Sequence, residues 1–421
     1  MTERITDKLI NSQGEPASID QALRRGVAQD EQGFSMILPD RKSLEQAMRE
    51  RELKLYLGID PTSSELHIGH TVPLRKLKHL QDLGHKVNLL FGTFTGMIGD
   101  PSDKSAARVR LTKEQIDHNV ADYREQAGRI LDLSEDSPNP VKVVYNHEWL
   151  GPLNFEDVVN LASNFTVQQM LERSMFRDRI RDGRPVYLHE FLYPLMQGYD
   201  SVALDVDIEV GGKDQIFNML VGRDLMKAVK GKEKWVLPTK LIEDPSGKKM
   251  GKTEGNIVNI RDLPEIKYEG IMTWPDTAIA LGFELVTSVP VEDIHTLSEM
   301  LANGEINPME AKEALAYRVV AELDGVEAAE YASEEFTRVK RMGQLPRRMP
   351  TVAITRETTL ASLLVTSGLV KSEAEALSRI STRSVFIDGV NVNSNATWPE
   401  SAQVVSIGKK TIKNARKIEI V

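Results

Sequence analysis

Between residues 53 and 91 an apolar run, a helical stripe and a second apolar run follow one another. Leu53–Ile59 and Lys86–Phe91 read as buried strands; between them Leu74, Leu77, Leu80 and Leu83 recur at helical spacing and stop at Gly84. A strand, a crossover helix and a second strand imply a parallel sheet with right-handed connections. Such a sheet opens its ligand crevice at the carboxyl ends of its strands. With Val141–Tyr145 as another strand, the reading is α/β over roughly the first 240 residues. Pro73 fits only if the helix begins near His67, which leaves the proline in the early turns.

Two loops face that crevice. After the first strand comes Asp60-Pro-Thr62-Ser-Ser-Glu-Leu-His67-Ile-Gly-His70, with two imidazoles three residues apart on one face of the first helical turn. Backbone N–H groups and the helix dipole favour a phosphate there, and neutral imidazoles can donate to it. Alone, the pair is weak evidence and reads more readily as two capping or surface histidines. After the second strand, Gly92, Gly96 and Gly99 lie in a loop that leads to Asp100 and matches neither a dinucleotide fingerprint nor a P-loop. A plain tight loop is the alternative there. Far downstream, Lys249, Lys252 and Thr253 share a stretch with Gly247, Gly251 and Gly255. Taken by itself that stretch is a solvated basic loop. Together with the histidine turn it suits attack of a carboxylate on the α-phosphate of ATP with pyrophosphate leaving, chemistry that needs charge neutralisation and in-line positioning.

A third cluster points to the source of the carboxylate. Tyr193, Gln197 and Asp200 fall at i, i+4 and i+7, one face of a helix bent by Pro194. A solvent-facing stripe is the alternative. The neighbours Phe191, Leu192, Leu195, Met196, Val202 and Leu204 favour burial, and buried polar groups need partners that a small polar ligand would supply. Glu209-Val-Gly211-Gly212-Lys213-Asp214-Gln215 then repeats the pattern of a glycine turn after a strand.

The chain has 421 residues, enough for two or three domains. It contains no cysteine, no run long enough for a bilayer and no apolar signal core at Met1–Asp7, which sets the expectation of a cytoplasmic protein. A net charge of −9 excludes indiscriminate coating of nucleic acid. The charge is uneven: residues 351–421 carry nine Lys and Arg against six Asp and Glu, an excess of +3 that leaves −12 for the rest. Residues 262–341 look mainly helical, Gly343–Pro350 reads as a linker, and the last 71 residues form a compact unit with two short helices and an Asp388-Gly389 hairpin.

These residues carry a resemblance. His67-Ile-Gly-His70 and Lys249-Met-Gly-Lys252-Thr253 look like the HIGH and KMSKS signatures of class I aminoacyl-tRNA synthetases. With Tyr56-Leu-Gly58-Ile-Asp60-Pro-Thr62, Asp100, Tyr193, Gln197, Asp200 and Gly211–Gln215, the chain resembles the bacterial tyrosyl-tRNA synthetases over nearly its whole length, and its end resembles their S4 RNA-binding domain. The resemblance implies a Rossmann-like catalytic domain over 1–240 (with an N-terminal extension to about 35), a KMSKS loop and helical domain over 241–342, a linker at 343–350 and an S4-like domain over 351–421. It implies ATP-dependent formation of tyrosyl-adenylate, then transfer to the 3′ end of tRNA(Tyr). Mg2+ would accompany ATP, without a dedicated protein metal site. A homodimer is expected, with residues 153–180 near its interface.

Position by position, the resemblance assigns Tyr56 and Asp200 to the tyrosine hydroxyl. Asp100, Tyr193 and Gln197 go to its ammonium and Gln215 to the region of its carboxylate. Thr62, His67 and His70 would meet the ATP phosphates, and Asp60, Gly58, Gly69, Gly212 and Asp214 complete the nucleotide site. Lys249, Lys252 and Thr253 would hold the pyrophosphate, with Lys252 also on ATP. Lys371, Arg379, Arg383, Lys409, Lys410 and Lys413 are the candidates for tRNA phosphates. Gly251 and Thr253 replace two serines of the KMSKS consensus, a variation that bears on ATP affinity rather than on the reaction. Two rivals stand beside this: the tryptophan-specific sibling, disfavoured because an indole offers no hydroxyl to Tyr56 and Asp200, and an RNA-binding scaffold without activity.

Overall fold

The structure, a computed structural model, describes residues 4–100, 111–243, 257–355, 357–396, 403–408 and 411–420. Packing divides the chain into two units, Asn11–Arg261 with Thr277–Glu305, and Met1–Ile10 with Asp262–Asp276 and Ile306–Val421. No helix among the described residues is long and apolar enough to cross a membrane.

In the first unit the apolar runs become strands β1 (Lys54–Ile59), β2 (Lys86–Phe91), β3 (Lys142–Tyr145), β4 (Ile208–Gly212) and β5 (Trp235–Thr239). They pair in the order β3-β2-β1-β4-β5, every pair parallel. The chain therefore winds outward from β1 through β2 to β3, then crosses back to lay β4 on the other side of β1. That reversal places the crevice outside the carboxyl ends of β1 and β4. In register, Tyr56 on β1 lies between Asn88 on β2 and Glu209 on β4.

The crossover helix spans Ile68–Asp82 with His67 as its N-cap and Pro73 inside it. Leu74, Leu77 and Leu80 are fully buried against the sheet, and Leu83 packs on the same core at the helix end. Gly84 follows at φ +86°, the left-handed region where glycine carries no Cβ penalty. Residues 277–305 belong to this unit because Arg25 reaches them. Its buried guanidinium donates to the carbonyls of Phe283, Glu284, Thr287 and Val289 at 2.6–3.0 Å, satisfying the open end of the helix Ile279–Val286. The stretch 241–342 is thus shared between the two units rather than packing as one.

The second unit joins the helices Pro264–Met272, Pro308–Asp324 and Val326–Phe336 to a small mixed sheet. Its strands are β6 (Thr351–Ile354), β7 (Val385–Ile387), β8 (Val390–Val392), β9 (Val404–Ile407) and β10 (Ala415–Ile420), in the order β6-β10-β9-β7-β8. Only β6 and β10 run parallel. Asp388 and Gly389 turn the β7–β8 hairpin at φ +46° and +80°, as a type I′ turn requires. Leu360, Leu363, Leu364, Ala376 and Ile380 from two short helices fill its core. The expected order of parallel sheet, helical region and small α+β end is the one observed.

Candidate active site

The deepest part of the crevice is polar although it is dry. Tyr56 is wholly buried, and its hydroxyl lies 3.2 Å from the Gln197 carbonyl and 3.1 Å from Ser201 Oγ. Asp200 is 2% exposed and accepts from Trp149 Nε1 at 2.7 Å and, at a long 3.4 Å, from Asn146 Nδ2. Burial pushes the Asp200 carboxyl well above the usual carboxylate range, against the pull of those two donors. Burial, then the charges of Glu209 and Asp200, push the Tyr56 phenol up as well. Two hydroxyl-seeking groups in so dry a place form an end wall suited to a ligand hydroxyl.

Nearer the mouth, Tyr193 donates to Asp60 Oδ2 at 2.7 Å, and Thr95 donates to Asp60 Oδ1 at 2.7 Å. Asp60, expected with the nucleotide, is thereby held beside the amino-acid residues. Gly92 makes this possible, since a Cβ there would lie 1.9 Å from Asp60 Oδ1. The glycine loop is therefore more than a tight turn. Asp100 accepts from Gln215 Nε2 at 2.8 Å and pairs with Arg173 at 3.2 Å. Asn218 donates to both Gln197 Oε1 and Gln215 Oε1 at 2.9 Å. All six residues assigned to tyrosine lie in this one region, where the acidic groups of Asp60 and Asp100 near the mouth favour a bound cation such as an ammonium.

The histidine turn lies beside it. Gly69 N–H donates to His67 Nδ1 and His67 N–H to His70 Nδ1, both at 3.1 Å, and the rings lie tilted at 40° with centroids 3.9 Å apart. A backbone N–H can only donate, so each Nδ1 is unprotonated and each Nε2 carries the proton. The rings cap the helix, and capping leaves each Nε2–H as a donor. A Cβ at Gly69 would meet the His67 ring at 2.8 Å, and one at Gly212 would meet Asp214 Oδ1 at 2.4 Å, so both glycines permit close approach. Gly58 has ordinary room, its nearest contact being Leu90 at 3.6 Å.

Lys249, Lys252 and Thr253 lie outside the described residues, as do Lys409 and Lys410. What flanks the lysine stretch is described. Before it, Glu243 is ion-paired with Lys213 beyond the end of β4. After it, Asn259 bridges His67, and Ile68 N–H donates to the Val258 carbonyl at 2.8 Å.

Over residues 48–339 the chain matches the family model of class I tRNA synthetases (W and Y). The chain belongs to that family. Among its relatives are the tyrosine–tRNA ligases of Thermotoga maritima, 39% identical over 89% of this chain and 93% of that one, and of Moorella thermoacetica, 41% identical over 92% and 93%. Solved tyrosyl-tRNA synthetases share the fold. The Archaeoglobus fulgidus enzyme complexed with L-tyrosine aligns at a TM-score of 0.58 and 22% identity over 78% of this chain and all of that one. A C-terminally truncated mitochondrial enzyme of Aspergillus nidulans aligns at 0.63 and 21% over 79% and 97%.

For this class I family member, reading from the sequence missed Asn146, Trp149, Thr95, Arg173, Ser201, Glu209 and Lys234. Trp149 carried a signal, a lone indole soon after a strand, but its partner is 51 residues away and only the fold joins them. A cavity of about 800 Å³ lies next to the site, where Thr93 and His147 of its lining meet at 2.8 Å. In the second unit Lys371, Arg379, Arg383 and Lys413 are all exposed. Arg416, by contrast, is half-buried and donates to the carbonyls of Ser367, Lys413 and Ala415, a structural use of its charge.

Proposed function

We propose that the protein is a tyrosine–tRNA ligase: it condenses L-tyrosine with ATP to tyrosyl-adenylate and pyrophosphate, then passes the tyrosyl group to the 3′ end of tRNA(Tyr). The observation that carries this reading is the buried end wall of Tyr56 and Asp200, two polar side chains held in place by their own protein partners and able to pair with a ligand hydroxyl that an apolar ring would not offer. Asp100, Tyr193 and Gln197 take the ammonium, and Gln215 lies toward the carboxylate. His67 and His70 donate to the ATP phosphates from Nε2, with Thr62 beside them and Gly58, Gly69, Gly212 and Asp214 against the nucleoside. ATP arrives with Mg2+ as its counter-ion, part of the substrate.

Lys249, Lys252 and Thr253 are assigned to the departing pyrophosphate. The reading gains support from the anchors of that stretch: Lys252 stands six positions before Val258, a reach of about 20 Å from the turn that holds His67. The in-line attack then needs charge neutralisation, not a strong base. We assign tRNA binding to residues 351–421 and place the protein in the cytoplasm, where its substrates are. The exposed Phe155, Val159, Val167, Ile180, Tyr187 and Leu188 form an apolar series suited to a second copy of the chain. Exchange of labelled pyrophosphate into ATP, run with each amino acid in turn, tests the assignment: tyrosine alone drives exchange, and exchange driven by tryptophan in its place sinks it.

A further inference from the structure

Beneath the end wall lie two charges that adenylate formation does not use. Glu209 on β4 and Lys234, just before β5, form an ion pair whose side chains are 2% and 0% exposed. Glu209 stands next to Tyr56 in the sheet register, so both side chains lie on one face. A glycine leaves room for the pair: a Cβ at Gly222 would meet Lys234 Nζ at 2.5 Å and Ser201 Oγ at 2.9 Å. A buried pair adds little net stability over apolar residues of like shape. Its hydrogen bonds are more informative.

Lys234 lies 2.9 Å from Ser201 Oγ, and an ammonium can only donate, so it occupies a lone pair of that hydroxyl. Glu209 Oε2 lies 3.3 Å from the same Oγ, and a carboxylate can only accept, so it takes Ser201's one proton. Tyr56 must then be the donor in its 3.1 Å contact with Ser201. Its other protein partners, the Gln197 carbonyl and the Glu209 carboxylate, also only accept. The Tyr56 proton thus stays on the protein side, and its oxygen lone pairs are left for a ligand. Glu209 also orients Gln197: its Oε1 takes the carboxamide N–H at 2.9 Å, which turns Gln197 Oε1 toward Asn218 Nδ2.

We infer that the Glu209–Lys234 pair, acting through Ser201 and Gln197, sets the hydrogen-bond polarity of the tyrosine pocket, so that Tyr56 accepts from the ligand hydroxyl and Gln197 offers its oxygen to the ammonium. The inference rests on the tyrosine reading above. It makes Glu209, Lys234 and Ser201 positioning residues, none of which touches the reacting atoms.

The test uses the full chain with Glu209→Gln and Lys234→Met together, which removes both charges and keeps the approximate shapes. The double variant should fold cooperatively. Its KM for tyrosine in pyrophosphate exchange should rise about tenfold with kcat little changed, and its preference for tyrosine over phenylalanine should fall about tenfold. Ser201→Ala, which leaves the ion pair intact, should lower that preference alone, by about threefold. A purely structural role would depress both amino acids alike and leave the ratio unmoved. A folded double variant with wild-type KM and ratio overturns the inference; should it not fold, a wild-type ratio in Ser201→Ala does so. Wild-type exchange driven by some other amino acid sinks the tyrosine reading and this inference together, whereas tyrosine-driven exchange with unmoved variants sinks this inference alone.

Discussion

The Nδ1 atoms of His67 and His70 both accept from backbone N–H groups, so each ring holds the helix start and keeps its Nε2–H for the phosphate role proposed above. Substitution can separate these uses. His67→Ala removes an N-cap acceptor and should cost about 1 kcal/mol in denaturant unfolding, together with most of the exchange rate. Asparagine is a good N-cap, so His67→Asn should recover the stability without the exchange rate. Full activity in the asparagine variant would mean that His67 only caps. Single residues were unevenly legible. The histidines, Tyr193, Gln197 and Asp200 announce themselves by spacing. Lys234 ends a charged stretch, Gly231-Lys-Glu-Lys234, with no local apolar pattern to mark it, and the closure of β5 on β4 buries it. Gly92 was visible as one of three loop glycines, but which of them matters depends on where Asp60 points.

Among the elements, the helix Ile68–Asp82 carries more than the histidine turn. Lys76 on it is buried and donates to the carbonyls of Ala22 and Arg25 at 2.5 and 2.7 Å, tying the 18–28 segment to the sheet unit. Burial, and next the neighbouring Arg25, lower its ammonium to about 7. The unfolded chain, with an ordinary lysine near 10.5, binds more protons between those values, so this residue makes stability rise with pH from about 7 to about 10.5. Below about 7 its penalty is present in full. The stability of wild type minus that of Lys76→Met, measured by urea unfolding, should therefore grow between pH 7 and 10; a difference flat across that window contradicts the assignment. Strands and helices of this kind were readable because each is a local apolar pattern. The contact of Arg25 with the carbonyls around residue 287 was not, because it satisfies a helix end about 260 residues away.

At the scale of the whole molecule, every described residue assigned to activation lies in the unit of Asn11–Arg261, whereas the RNA candidates lie in the other. The end module is attached to its own unit by Glu269, which accepts from the backbone N–H groups of Ile412 and Lys413 and pairs with Lys340. Removing residues 351–421 should then leave tyrosine-dependent exchange largely intact and abolish charging of tRNA. Equal loss of both activities would assign the module a structural role. The order of the domains was plain from composition and periodicity, but their packing was not, since residues 277–305 return to the sheet unit through contacts that leave no local trace.

On the tyrosine reading, the buried wall of Tyr56 and Asp200 selects a hydroxyl. The ratio of kcat/KM for tyrosine to that for phenylalanine, measured by pyrophosphate exchange in the wild type and in Asp200→Asn, tests it most directly. The substitution should lower this ratio by about a hundredfold, chiefly through loss of tyrosine activation. An unchanged ratio in a folded Asp200→Asn protein would contradict it.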